Sequence, residues 1–174
     1  SRDIDACKAA LSRFEIDDTP ASVLAKSRDF YWYSPILKRQ LDGLRADFVV
    51  TPRDTAEVAE ILAICWAHDV PVTVRGAGTG NYGQAMPLEG GVVLHMRHLT
   101  GIVALGADHV VVRAGMVIEE IEHALRAAGR EIRLFPSTTA TATIGGFIAG
   151  GASGVGAIRW GGLRNPAKSA ASGW

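Results

Sequence analysis

Between positions 75 and 84 the chain reads Arg75-Gly76-Ala77-Gly78-Thr79-Gly80-Asn81-Tyr82-Gly83-Gln84, glycines interleaved with short polar side chains. That composition suits the binding of an anion. A phosphate needs hydrogen-bond donors on several sides, and backbone N–H groups converge on it only where no Cβ stands in the way. Gly76, Gly78, Gly80 and Gly83 leave such an approach open, and Thr79 and Asn81 add side-chain donors. A second run, Pro136 to Gly162, holds eight of the chain's 20 glycines, all from Gly145 onward. There Gly145 and Gly146 free another loop, Thr143 adds a hydroxyl, and a helix opening at that point adds the positive end of its dipole. Two anion-binding loops suit a dinucleotide better than a mononucleotide.

Glycine alone does not name the dinucleotide, because tight turns between strands use the same residue. A P-loop ends in Gly-Lys followed by Ser or Thr, and the chain has no Gly-Lys pair. A Rossmann loop opens directly into a helix, whereas Gly76-x-Gly78-x-Gly80 runs on into Tyr82, Gly83 and Pro87. Neither common nucleotide fold fits. The histidines carry little: His95 and His98 are not at helical HxxxH spacing and have no Cys or carboxylate beside them in sequence, His68 falls in the last turn of a helix, and His109 and His123 read as surface positions. Cys65 lies on an apolar helical stripe with Val58, Ile61 and Leu62 and reads as core; Cys7 is in no CxxC-like spacing with it. No catalytic residue and no metal site is assigned from the sequence.

The elements that position the loops can be read locally. Phe48-Val49-Val50 is a short apolar strand. Pro52 ends it, and Asp54-x-x-Glu57 is the signature of a capping box opening a helix that closes near His68, before Pro71. Val70 to Val74 is β-branched and runs straight into the first glycine loop, giving a small parallel β-α-β unit. Val92 to Met96, Ile102 to Leu105 and His109 to Arg113 are expected to make a larger mixed, mainly antiparallel sheet, with a turn at Ala107-Asp108. A helix over 117–128 shows Ile118, Ile121 and Leu125 on one side, Glu119, Glu120 and Glu122 on the other, and Gly129 as its C-terminal cap. The class is α+β. Residues 1–46 form an N-terminal arm whose aromatic cluster, Phe30-Tyr31-Trp32-Tyr33, is expected to pack on the core. Residues 47–165 are expected to be the binding domain, and 166–174, with no periodicity, an unstructured tail.

Bulk properties narrow the class further. A chain of 174 residues buries roughly 70% of the surface its unfolded form exposes, enough for a sizeable core. Eighteen basic and 18 acidic side chains balance, which disfavours nucleic acid and anionic membrane as partners. No run approaches the roughly 18 apolar residues of a membrane span, and the first residues lack the basic and apolar regions of a signal peptide, so a cytoplasmic location is expected.

Three features taken together resemble a known family, the FAD-binding domain shared by vanillyl alcohol oxidase, p-cresol methylhydroxylase, D-lactate dehydrogenases and the catalytic subunit of glycolate oxidase. They are Pro71-Val72-x-Val74-Arg75-Gly76-Ala77-Gly78-Thr79-Gly80 with Pro87-Leu88-Glu89-Gly90-Gly91-Val92-Val93-Leu94 behind it, Val112-x-Ala114-Gly115 before a helix, and Pro136-Ser137 followed by Ala142-Thr143-Ile144-Gly145-Gly146. Order and spacing both match over about two-thirds of the chain, and the first segment is most similar to the glycolate oxidase and D-lactate dehydrogenase branch.

The resemblance implies FAD, with its pyrophosphate on Arg75, Gly76, Ala77, Gly78, Thr79, Gly80 and Asn81, with Gln84 beside them, and on Thr143, Ile144, Gly145 and Gly146; Pro136, Ser137, Ser153, Gly154 and Gly156 line the cofactor too. Relatives that attach FAD through a histidine of this loop carry it where this chain has Thr79, so the FAD is expected to be non-covalent. The resemblance further implies an oxidoreductase whose complete form oxidises an alcohol or a 2-hydroxy acid and passes the electrons to oxygen or another acceptor. The substrate side is expected to be missing after Pro166, which leaves a second reading: a non-catalytic FAD- or nucleotide-binding module that serves a partner chain, or a homo-oligomer.

Overall fold

The structure is a computed structural model that describes residues 2–163, and these divide between Leu99 and Thr100 into two compact units. The tail assigned to 166–174 lies outside the described residues. Among those residues no helix is long and apolar enough to cross a membrane.

The first unit is built on a four-stranded sheet. In chain order it contains α1 (Ile4–Ala10), β1 (Glu15–Asp17), α2 (Pro20–Lys26), a 3₁₀ turn (Tyr31–Tyr33), α3 (Pro35–Leu41), β2 (Phe48–Thr51), α4 (Thr55–Ala67), β3 (Val72–Arg75) and β4 (Val92–His95). The strand order is β1-β2-β4-β3. β4 runs parallel to both β2 and β3, with Val93 opposite Val49 and Thr73, while β1 closes the other edge antiparallel to β2.

β2, α4 and β3 form the expected parallel β-α-β unit, with β4 inserted between its two strands. One sequence expectation is corrected: Val92–His95 belongs to the parallel sheet, not to an antiparallel one with residues 102–113. The cause is burial on both faces. Val92, Val93 and Leu94 are all 0% exposed, so the strand has no polar face to turn to water and takes a central parallel position. Phe48, Val50, Val92 and Leu94 meet Cys7, Leu11 and Phe14 of the arm and Ile61 and Cys65 of α4 on one side; Val49 and Val93 meet Val23 of α2 on the other. Each fully buried side chain of this kind stabilises the fold by about 1.5–3 kcal/mol.

α4 begins as its sequence dictates. Asp54 Oδ1 accepts the N–H of Glu57 (2.9 Å), and the Glu57 carboxylate reaches back to the N–H of Arg53 (2.8 Å), one residue earlier than in the usual box. Cys65 is buried as expected, its sulfur 3.9 Å from that of Cys7, and burial beside that second thiol pushes its pKa up to about 12. The arm departs from its simple reading. Only Tyr31 of the aromatic cluster is buried, its hydroxyl donating to Asp42 (2.7 Å), while Phe30, Trp32 and Tyr33 stay exposed and pack on one another.

The second unit holds an antiparallel hairpin, β5 (Ile102–Leu105) and β6 (Val110–Val112), followed by α5 (Ile118–Ala127), α6 (Ile144–Gly150) and α7 (Ala157–Trp160). Ile118, Ile121 and Leu125 of α5 are buried, as their spacing requires. Glu122 is not a free surface acid: its carboxylate accepts the Ile132 N–H and the Arg126 guanidinium, both at 2.8 Å, and so ties the chain leaving α5 back to the helix.

Candidate cofactor site

β3 is the edge strand of the parallel sheet, and the chain leaves its C-terminal end as the first glycine loop. No helix follows among residues 76–91, which removes the Rossmann alternative. The backbone accounting of the loop is unusual. None of the six N–H groups from Gly76 to Asn81 donates to a protein acceptor among the described residues, although four of those six residues are half-buried. Six successive unpartnered donors beside a sheet are costly unless water or a ligand meets them. Gly78 sits at φ +69°, a region an L-residue enters only at a cost.

Both ends of the loop are fixed by the arm. Arg75 Nη1 donates to the carbonyls of Lys26 (3.1 Å) and Arg28, and Phe30 N–H donates to the carbonyl of Gly80 (2.8 Å). Burial draws the Arg75 guanidinium below the usual arginine range, partly offset by Asp29. Asp29 itself is 4% exposed; its Oδ1 accepts the Tyr31 N–H at 2.8 Å while Oδ2 has no partner. Arg28 Nε and His95 Nδ1 are likewise buried without partners. His95 stands opposite Arg75 in the sheet, and burial, followed by the charges of Lys26, Arg75, Arg97 and His98, pushes its pKa down to about 4.

Lys26, Arg28, Asp29 and His95 were not singled out by the sequence. Nothing in the unpatterned stretch before the aromatic cluster marks it as lying 47 to 49 residues from its partner Arg75. Gln84 Oε1 accepts the Tyr82 N–H (3.0 Å) and bounds the space over Gly80.

The second segment lies in the other unit and is built differently. Thr143 caps α6 through a 3.3 Å bond from Gly146 N–H to its hydroxyl oxygen, while Ile144 and Gly145 donate to the carbonyls of Met116 (3.0 Å) and Ala114 (2.9 Å). Gly145 is a packing glycine: a Cβ there would stand 2.7 Å from the Ala114 carbonyl oxygen. The first N–H groups of α6 are therefore taken by protein, and what this segment leaves for a ligand is hydroxyl groups and the helix dipole. Phe135 and Val155 form an isolated antiparallel bridge, whose register sets Pro136 and Ser137 towards Gly154 and Ser153, while Gly156 lies against Arg133 and Leu134.

A family model described as FAD binding domain matches residues 46–170. The chain belongs to that family. FAD is the cofactor of this domain, and the first loop fits it, since a nest of free N–H groups with no Cβ in the way is the donor set a pyrophosphate requires. The glycolate oxidase subunit GlcD of Bacillus subtilis is 33% identical over 121 residues, covering 68% of this chain and 26% of that protein. The D-lactate dehydrogenase of Archaeoglobus fulgidus is 36% identical over 118 residues, covering 67% and 26%. Among solved structures, alkyldihydroxyacetonephosphate synthase superposes with a TM-score of 0.79 at 18% identity, over 93% of this chain and 35% of that one, a likeness of fold. This FAD binding domain chain thus spans about a quarter of the length of the curated relatives it matches.

Proposed function

We propose that this chain is the cofactor-holding part of a flavin-dependent oxidoreductase that oxidises a 2-hydroxy acid or a related alcohol. The run of unpartnered N–H groups from Gly76 to Asn81 carries the reading. In it the first loop, with Arg75 behind it and Gln84 at its rim, takes the negative charge of the pyrophosphate. In the second unit the residues assigned to the cofactor are the hydroxyl donors Thr143, Ser137 and Ser153 and the lining residues Pro136, Ile144, Gly145, Gly146, Gly154 and Gly156. The flavin, when bound, accepts the reducing equivalents of a substrate C–H bond; the residues of this chain hold and orient it and exclude water. The FAD is non-covalent, since Thr79 stands where relatives that attach the cofactor through this loop carry a histidine.

The substrate class rests on the names of the relatives, a glycolate oxidase subunit and a D-lactate dehydrogenase. One of them is a subunit, which favours a partner chain for the complete enzyme. A cytoplasmic setting suits Cys7 and Cys65, two buried thiols held side by side.

Titration of the purified chain with FAD, followed by flavin fluorescence and by difference absorption, tests the reading; saturable binding with a perturbed flavin spectrum is expected. Addition of glycolate or D-lactate to the flavin-loaded protein then separates an enzyme, which bleaches the flavin, from an inert holder. No FAD binding by the isolated chain would sink the reading.

A further inference from the structure

Arg75 and Gly80, the two ends of the first loop, are held by alternate residues, Lys26, Arg28 and Phe30, of an arm segment that precedes the matched domain. Within this segment one side chain organises the clamp. Asp29 is 4% exposed and its Oδ1 takes the N–H of Tyr31 at 2.8 Å, closing the turn that aims the Phe30 N–H at the Gly80 carbonyl, 2.8 Å away. Its other oxygen, buried and without a partner, lies against the loop: it would be 3.3 Å from a Cβ on Gly80. A Cβ at 80 would meet Gln84 Oε1 first, at 2.5 Å, so the carboxylate and Gln84 together border the Gly80 end of the loop.

We propose that Asp29 is a positioning residue for the cofactor: by fixing the turn at 29–31 it pins the Gly80 end of the loop, so that the N–H groups from Gly76 to Asn81 stay pre-aimed at the FAD pyrophosphate. This rests on the reading that the first loop holds FAD. A loop held open before binding loses less conformational freedom when the ligand arrives, so loosening it weakens affinity even though Asp29 touches no part of the cofactor.

The test compares three variants of the full chain by FAD titration and by thermal unfolding without FAD. Asp29→Ala removes the turn and should weaken FAD binding roughly tenfold, the loss of about one net hydrogen bond. Asp29→Asn keeps an oxygen for the Tyr31 N–H and should bind within about threefold of wild type. Asp54→Ala is the control: Asp54 caps α4 by accepting the Glu57 N–H at 2.9 Å and belongs neither to the loop nor to the arm segment that holds it, so it should lower the melting temperature and leave FAD affinity unchanged. Hydrogen exchange on the unmodified chain needs no variant to fold, and the Phe30 amide should be protected with and without FAD. Unchanged affinity in Asp29→Ala, equal losses of affinity in Asp29→Ala and Asp54→Ala, or a rapidly exchanging Phe30 amide would each overturn the proposal while leaving FAD binding intact. Failure of the wild type to bind FAD would instead remove the reading on which it rests.

Discussion

Replacing Gly78 by Ala puts the cofactor loop under a load whose size follows from two terms. The backbone at Gly78 has φ +69°, which costs an alanine about 1–2 kcal/mol. The added Cβ would also stand 2.3 Å from Arg75 Nη2, with the rest of the guanidinium within 2.5 Å. A guanidinium can swing away, but only by loosening its bonds to the carbonyls of Lys26 and Arg28, and one charge-assisted bond is worth about 1.5–3 kcal/mol. The total is of order 3 kcal/mol. It divides between two observables. Whatever the free loop cannot relax appears as lost stability. Whatever it relaxes by leaving the binding conformation must be restored by FAD and appears as weaker binding, tenfold for every 1.4 kcal/mol. Urea unfolding without FAD and FAD titration on the same preparation measure both parts. Gly43→Ala is the control, because a Cβ there meets nothing within 4 Å and the backbone is not left-handed, and it should change neither. If Gly78→Ala also changes neither, the loop geometry and the argument built on it are wrong.

Further outcomes follow from other sites. Gly145→Ala should cost about 1–3 kcal/mol of stability, several degrees in a thermal scan, because its Cβ would press on the backbone carbonyl of Ala114 at 2.7 Å, which cannot swing aside. Acid precipitation of the FAD-loaded chain should leave the yellow colour in the supernatant; flavin retained on the pellet would refute non-covalent binding. His95, whose pKa falls from 6.5 to about 4 on folding, should make the protein acid-sensitive. The unfolded chain takes up the proton first, so stability is untouched above pH 6.5 and falls by of order 2–3 kcal/mol as pH drops from 6.5 towards 4. In His95→Gln this part of the loss should be absent, as read by urea midpoints at pH 7 and pH 4.5.

The local grammar of the chain was legible without coordinates. Asp54 and Glu57 announce the start of α4, Gly129 marks the end of α5, and the spacing of Ile118, Ile121 and Leu125 gives the buried stripe, because capping and helical periodicity involve residues within one or two turns of each other. The glycine loops and the family resemblance were equally readable, since Arg75 to Gly80 and Thr143 to Gly146 are contiguous and need no partner to be recognised. Three things were decided by the tertiary structure. Insertion of β4 between β2 and β3 depended on which apolar strand is buried on both faces, and Val92-Val93-Leu94 reads the same in either sheet. Gly145 proved to serve close packing on Ala114, whereas the N–H groups around Gly78 are left free, a difference invisible in two equally glycine-rich segments. The clamp of Lys26, Arg28, Asp29 and Phe30 on the ends of the loop joins residues about 50 apart through backbone carbonyls and amides. Every residue type carries those groups, so their pairing leaves no mark on the sequence and is fixed only when the arm folds against the sheet.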